Sequence, residues 1–299
     1  MISKFRIGAL VIILNFFASV AMIWGQDNPS LLQMAVPSLN IAPDARGGGM
    51  GDMGAATLPD INSQYWNAAK YAFMGSKAGV SLSYTPWLRK LVNDVALVNM
   101  TGYYKLGNSD LQAISASLRY FSLGEVNIWE NIGDVPYGLN PYEMAFDVAY
   151  SRKLSESYSM AVTLRYIRSD MGTDQNDESN AGNAFSADIS GYLEKYVLMG
   201  NAEALWSFGF NLSNIGSKIS YDGGNTNQYL PAKLTLGTGL LYPIDDYNQI
   251  GVYLDLNKYM VPYAPQKEEG ETDADYQTRV DDYKSWSSLS GMLKSFTDS

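Results

Sequence analysis

Four ionisable side chains stand at matching positions on four successive candidate strands: Arg119, Asp147, Arg165 and Asp188. Each is the polar member of an apolar–polar alternation. Folding the hairpins about their connections puts Arg119 roughly opposite Asp147, and Asp147 opposite Arg165. Asp188 falls within a residue or two of Arg165's level. The pattern predicts a belt of alternating charge on one face. Such a belt can brace neighbouring strands, or line a path for solutes.

Few other residues offer chemistry. The chain has no histidine and no cysteine. That removes Ser-His-Asp triads, His-ligated zinc, thiolate nucleophiles, disulfides and the commonest general base. The acidic stretch with Asp170, Asp174, Asp177 and Glu178 lacks the Asp-x-Asp-x-Asp-Gly register of a calcium loop and reads as solvated. Ala42-Pro43-Asp44-Ala45-Arg46-Gly47-Gly48-Gly49-Met50-Gly51-Asp52-Met53-Gly54 is glycine-rich but ends without the Gly-Lys-Ser/Thr of a phosphate loop. No carboxylate pair has a spacing suited to catalysis. These absences predict no catalytic residues, no metal and no cofactor.

The elements that position the charges are strands. Nine segments alternate apolar and polar residues: 77–85, 94–105, 111–123, 142–154, 158–169, 183–197, 204–213, 231–242 and 247–258. In one, Trp206, Phe208, Phe210 and Leu212 interleave with Leu205, Ser207, Gly209 and Asn211. A period of two places each set on one face. Each segment reaches the ~9–11 residues that a tilted strand needs to cross a bilayer. Segment 94–105 is ambiguous; we read Ala96, Val98, Met100, Gly102 and Tyr104 as its outward set. Connections alternate short and long, with long ones at 86–93, 124–141, 170–182, 214–230 and 259–286. Short periplasmic turns and long outer loops are the pattern of an outer-membrane barrel, whose inward positions are polar. Tyr84, Tyr104, Tyr120, Tyr150, Tyr166 and Trp206 lie near strand ends and fit aromatic girdles.

Residues 1–25 read as a secretory leader, with Lys4 and Arg6 before an apolar run to Val20 and a small residue, Gly25, before polar Gln26. Losing those two cations takes the net charge from −10 to −12, which disfavours nucleic acid as a partner. No later apolar run reaches ~18 residues, so no transmembrane helix is predicted. Residues 26–76 lack strand pattern and read as a plug or cap, with the barrel domain over 77–299.

Asp44-Ala-Arg-Gly-Gly-Gly-Met-Gly51, followed by Trp66-Asn67-Ala68-Ala69-Lys70-Tyr71-Ala72, resembles the N-terminal region of FadL-like barrels. Within that superfamily the chain resembles the PorV (LptO) family of the type IX secretion system, which often has Asn-Pro-Ala where this chain has Asn67-Ala68-Ala69. Trp286 to Asp298 also resembles a stretch of that family, with Trp286, Leu289, Met292, Leu293 and Phe296 at helical spacing. The resemblance implies an all-β, antiparallel, fourteen-stranded outer-membrane barrel. It implies a non-enzymatic shuttle that takes cargo proteins bearing C-terminal signal domains from the translocon to the surface attachment complex. Partners are then translocon and attachment-complex proteins, cargo and outer-membrane lipid. A FadL-type channel for hydrophobic solutes is the alternative. Deacylase chemistry also attaches to the family, but the usual hydrolase triad needs a histidine.

Candidate partner contacts are Trp87, Trp129, Tyr137 and Tyr142, in or beside the long loops. Loop 259–284, dense in Lys, Glu and Asp, is expected to be mobile and polar. Nine strands cannot close a bacterial barrel, where counts are even. The expectation is therefore a fragment lacking its closing strands, and continuation of the reading frame past Ser299 tests it.

Overall fold

The computed structural model describes residues 32–297, except 88, 91–93, 108–109, 130–134, 173–180, 201, 223 and 225–226. The leader lies outside the described residues. After a 3-10 turn at Pro37–Asn40 come α1 (Ala45–Gly49), α2 (Ser63–Trp66) and a second 3-10 turn, Ala68–Phe73. The wall begins with β1 (Ala78–Pro86), β2 (Val95–Leu106) and β3 (Gln112–Leu123). A small hairpin follows, β4 (Val126–Ile128) and β5 (Tyr137–Leu139). The wall resumes with β6 (Tyr142–Lys153), β7 (Tyr158–Asp170), β8 (Gly182–Met199), β9 (Ala202–Gly216), β10 (Lys233–Pro243) and β11 (Gln249–Tyr259). Two helices come last, α3 (Asp273–Ser285) and α4 (Ser288–Lys294).

Nine strands form one antiparallel sheet in the order β1-β2-β3-β6-β7-β8-β9-β10-β11. Every neighbour pair is consecutive along the chain once the β4–β5 hairpin is set aside. All nine predicted strands are present, with ends shifted by a few residues. The ambiguity in β2 resolves as read: Met100 and Tyr104 point outward, while Asn99, Thr101 and Tyr103 are buried. Among the described residues, no helix is long and apolar enough to cross a membrane.

The outward face is apolar and open to its surroundings, with Leu164 at 67% and Val252 at 66% exposure. A row of such residues on a water-soluble wall would far exceed the apolar patch a soluble protein normally shows. The tyrosines sort by level. Tyr84 and Tyr120 share the partner Val98 towards the long-loop end, and Tyr104 and Tyr150 share Ile114 towards the short-turn end.

Two loops carry unforeseen structure. Loop 124–141 holds the β4–β5 hairpin. Loop 259–284, expected to be mobile and polar, instead carries α3 over its second half. Thr272 caps it by accepting from Asp275 N, Asp273 and Asp275 sit in its first turn and Lys284 in its last, all favourable to the helix dipole. Arg279 adds ion pairs to Glu268 at 3.0 Å and Glu271 at 2.8 Å. The helix buries no residue; capping and charge pairing hold it, with one edge-to-face ring contact from Tyr283 to Tyr229 at 5.6 Å. α4 does pack: Met292 is buried with Ala232 and Met260.

Candidate functional site: a charged wall against the N-terminal segment

Residues 32–76 lie against the inward face of the sheet. Their irregular backbone leaves many N–H and C=O groups without secondary-structure partners, and buried groups of this kind must be satisfied elsewhere. The wall supplies them. Ser83 of β1 donates to Pro43 O at 2.6 Å, and Lys105 of β2 to Met74 O at 2.7 Å. Ser159 of β7 donates to Ala69 O at 2.7 Å, and Ser207 of β9 to Ala56 O at 2.6 Å. Asp255 of β11 accepts from Gly54 N at 2.8 Å and Ala55 N at 3.0 Å. Both edge strands, β1 and β11, thus reach one short stretch, so the sheet curls around it. Small polar residues at inward positions are the sequence's means of holding this segment.

Glycine sets how closely segment and wall approach. Gly209 and Gly237 are register partners on β9 and β10. A Cβ at Gly209 would overlap Ala55 O, and one at Gly237 would press on the Asp255 carboxylate, Ala55 Cβ and Ala56 N. Only a residue without a side chain lets two backbones meet this way.

The two motifs behind the family resemblance meet in space. Asp44 caps α1 through Gly47 N at 2.8 Å and accepts from Trp66 Nε1 at 2.7 Å. The indole fills the space left by the missing side chains of Gly47 and Gly54. Asn67 Nδ2 donates to Ala55 O and to Gly191 O of β8, both at 2.9 Å. Lys70 is fully buried. Its Nζ donates to Gly54 O at 2.8 Å and Thr57 Oγ1 at 3.1 Å. Burial lowers its pKa to about 8, against a smaller upward pull from Asp60.

Three of the four predicted charges come together. Asp147 and Arg165 are register partners. Arg165 Nε donates to Asp147 at 3.1 Å, while its two terminal nitrogens grip Asp188 at 3.1 and 2.8 Å. All three are buried. Asp147 also accepts from Ser117 Oγ at 2.9 Å and from Gln64 Nε2 at 2.6 Å, tying the cluster to the N-terminal segment.

Arg119 does not pair with Asp147 as the hairpin count suggested. Its register partner is Ala145, and Asp147 faces Ser117. The two-residue offset carries Arg119 towards the long-loop end, where it donates to Ser38 O at 2.7 Å and lies 4.5 Å from the Tyr65 ring centroid. Asp188 faces Thr163, two residues from Arg165's level and within the expected offset, and Arg165 is long enough to span it.

Asn214 completes the cluster and was not foreseen. The β8–β9 register slips by one residue between Ala187 and Ile189, and Asn214 takes a positive φ of 58° at this bulge. Bulges re-aim side chains, and asparagine tolerates the left-handed region. Asn214 N donates to Asp188 at 2.7 Å, its Nδ2 donates to Pro231 O at 3.0 Å, and its Oδ1 accepts from Arg165.

Beside these groups lies a cavity of about 30 Å³, lined by Asp52, Tyr65, Arg119, Lys233 and Asp255 among others. That is about one water's share of liquid volume. The described residues contain no cluster of three or more metal-ligating side chains.

The candidate contact residues differ in setting. Trp87 and Trp129 are exposed, at 40% and 59%. Tyr142 is not a loop residue: it opens β6, stacks on Tyr120 at 5.4 Å and accepts from Arg168 Nε at 3.1 Å. Tyr137 lies in β5, but its side chain is outside the described residues.

The family model described as "Type IX secretion system protein PorV" matches residues 25–267. The chain belongs to the PorV family. The match takes in the N-terminal segment, the charge cluster and every strand of the wall, and stops before α3. PorV proteins are outer-membrane components of the type IX secretion system, a setting that suits the apolar outward face. No curated protein matches the chain.

Proposed function

We propose that this PorV-family chain is a cargo carrier without turnover chemistry. It takes secreted proteins by their C-terminal signal domains from the translocon, binds them non-covalently at its long-loop end, and delivers them to the surface attachment complex. The observation that carries the reading is the filled interior. Residues 32–76 are hydrogen-bonded to strands from β1 to β11, and the space left beside the charge cluster is about 30 Å³. A channel for hydrophobic solutes needs an apolar route, whereas Asp52, Arg119, Asp147, Arg165, Lys233 and Asp255 all face this space. Binding then falls to the rim, where Trp87 and Trp129 are exposed and aromatic anchors suit protein contact. Affinity purification from native outer membranes tests this. Translocon subunits and proteins with C-terminal signal domains should co-purify. Their absence, together with a hydrophobic-solute uptake defect in the deletion strain, would favour the channel.

A further inference from the structure

The outward face of β1, β2, β3 and β6 carries a groove of about 610 Å³, within the range of small-molecule sites. Its floor is the row Val80–Gly102–Ala116–Val148, four register partners across four strands. Gly102 and Ala116 are small, so the floor drops between two taller rows. Met100, Leu118 and Phe146 form one wall, and Tyr104 and Ile114 the other. The groove lies just inside the Tyr104/Tyr150 level, which forms its lower wall, and below the Tyr84/Tyr120 level. If the wall stands in a bilayer, this is the hydrocarbon zone, and what fills the groove there must be apolar.

The short-turn rim below is cationic. Lys77 Nζ lies 5.8 Å from the Tyr104 ring centroid, half-exposed. Arg152 follows Tyr150 by two residues on the same face and is exposed. Asp110, 3.6 Å from Lys77, and Glu156 in the β6–β7 turn are acids on the same rim, and Lys77 Nζ also donates to Gly107 O. Cations at headgroup level, directly beneath an apolar slot, complement an anionic lipid phosphate.

We infer that this groove holds one acyl chain of a phospholipid whose phosphate is met by Lys77 and Arg152. The inference rests on the membrane-wall reading and adds a defined lipid position to it. The groove can be filled without disturbing the wall. A Cβ at Gly102 would meet Gly79 O at 3.4 Å and Val80 Cγ2 at 3.5 Å, which is ordinary contact.

The test is photo-crosslinking of the whole chain in native outer membranes. p-Benzoylphenylalanine is placed at position 118, in the groove wall, or at position 254, on the outward face of β11. Position 118 should yield phospholipid adducts roughly tenfold more often than 254. Gly102→Leu with Ala116→Leu should abolish that excess, and Lys77→Gln with Arg152→Gln should reduce it, in protein that remains heat-modifiable and therefore folded. Equal lipid adducts at both positions, unaffected by these substitutions, would overturn the inference and leave the membrane wall intact. A polypeptide adduct at 118 would overturn it in favour of a partner protein. No lipid adduct at either position would overturn the membrane reading itself.

Discussion

Removing Arg165 strands two buried carboxylates. The guanidinium gives one hydrogen bond to Asp147 and two to Asp188, and each of the three residues is no more than 7% exposed. Water therefore cannot replace the lost charge. Breaking a buried ion pair from one side costs ~3–5 kcal/mol. The lower end applies here, because neutral donors remain: Gln64 and Ser117 on Asp147, and Asn214 N on Asp188. Arg165→Met should thus destabilise the chain by about 3 kcal/mol. Arg165→Lys should fall between, since one ammonium cannot hold both carboxylates in the geometry of a planar fork. Adding Asp147→Asn and Asp188→Asn to Arg165→Met should recover most of the loss, because no uncompensated charge is left. Urea titration of refolded protein in detergent, followed by tryptophan fluorescence, measures all four variants. A change under ~0.5 kcal/mol for Arg165→Met, the size of an ordinary surface substitution, would refute the reasoning. So would a triple variant no more stable than the single one.

Further predictions concern the N-terminal segment. Gly209→Ala forces a methyl group into Ala55 O, and the segment cannot retreat because Asp255 holds Gly54 and Ala55. The expected cost is about 1–3 kcal/mol, with faster proteolysis between residues 47 and 62; unchanged proteolysis would contradict the close approach. Lys70 gives a pH signature. Its folded pKa is lowered to about 8 by burial, against an ordinary ~10.4. Between these values the unfolded chain binds the extra proton, so stability rises with pH through that window, by at most roughly 3 kcal/mol. The difference in unfolding free energy, wild type minus Lys70→Met, should move in the wild type's favour between pH 7.5 and pH 10. Parallel values would show that Lys70 is not held this way.

What was legible in the sequence followed from the two solvents of the wall. An apolar exterior and a polar interior impose a period of two, and all nine strands and the outward face of β2 emerge from it. The register of individual pairs was less accessible. A miscount of two residues moved Arg119 away from Asp147, and the bulge at Asn214 has no sequence mark beyond an asparagine able to adopt positive φ. The N-terminal segment could be recognised as irregular, but its fold depends on strands as far as 201 residues away, such as Asp255 on Gly54. The glycines at 47–54 suggested turning freedom; at Gly47 and Gly54 they mainly make room for Trp66. Helix α3 did leave a signal, Thr272-x-x-Asp275 ahead of a run without Gly or Pro, but the charge density there reads equally as a solvated loop.

The role in secretion is tested most directly by deleting the gene and following one secreted protein that bears a C-terminal signal domain. The account predicts that this cargo stops in the periplasm or on the translocon, and that the wild-type chain restores its arrival at the cell surface. Normal surface delivery in the deletion strain would contradict it.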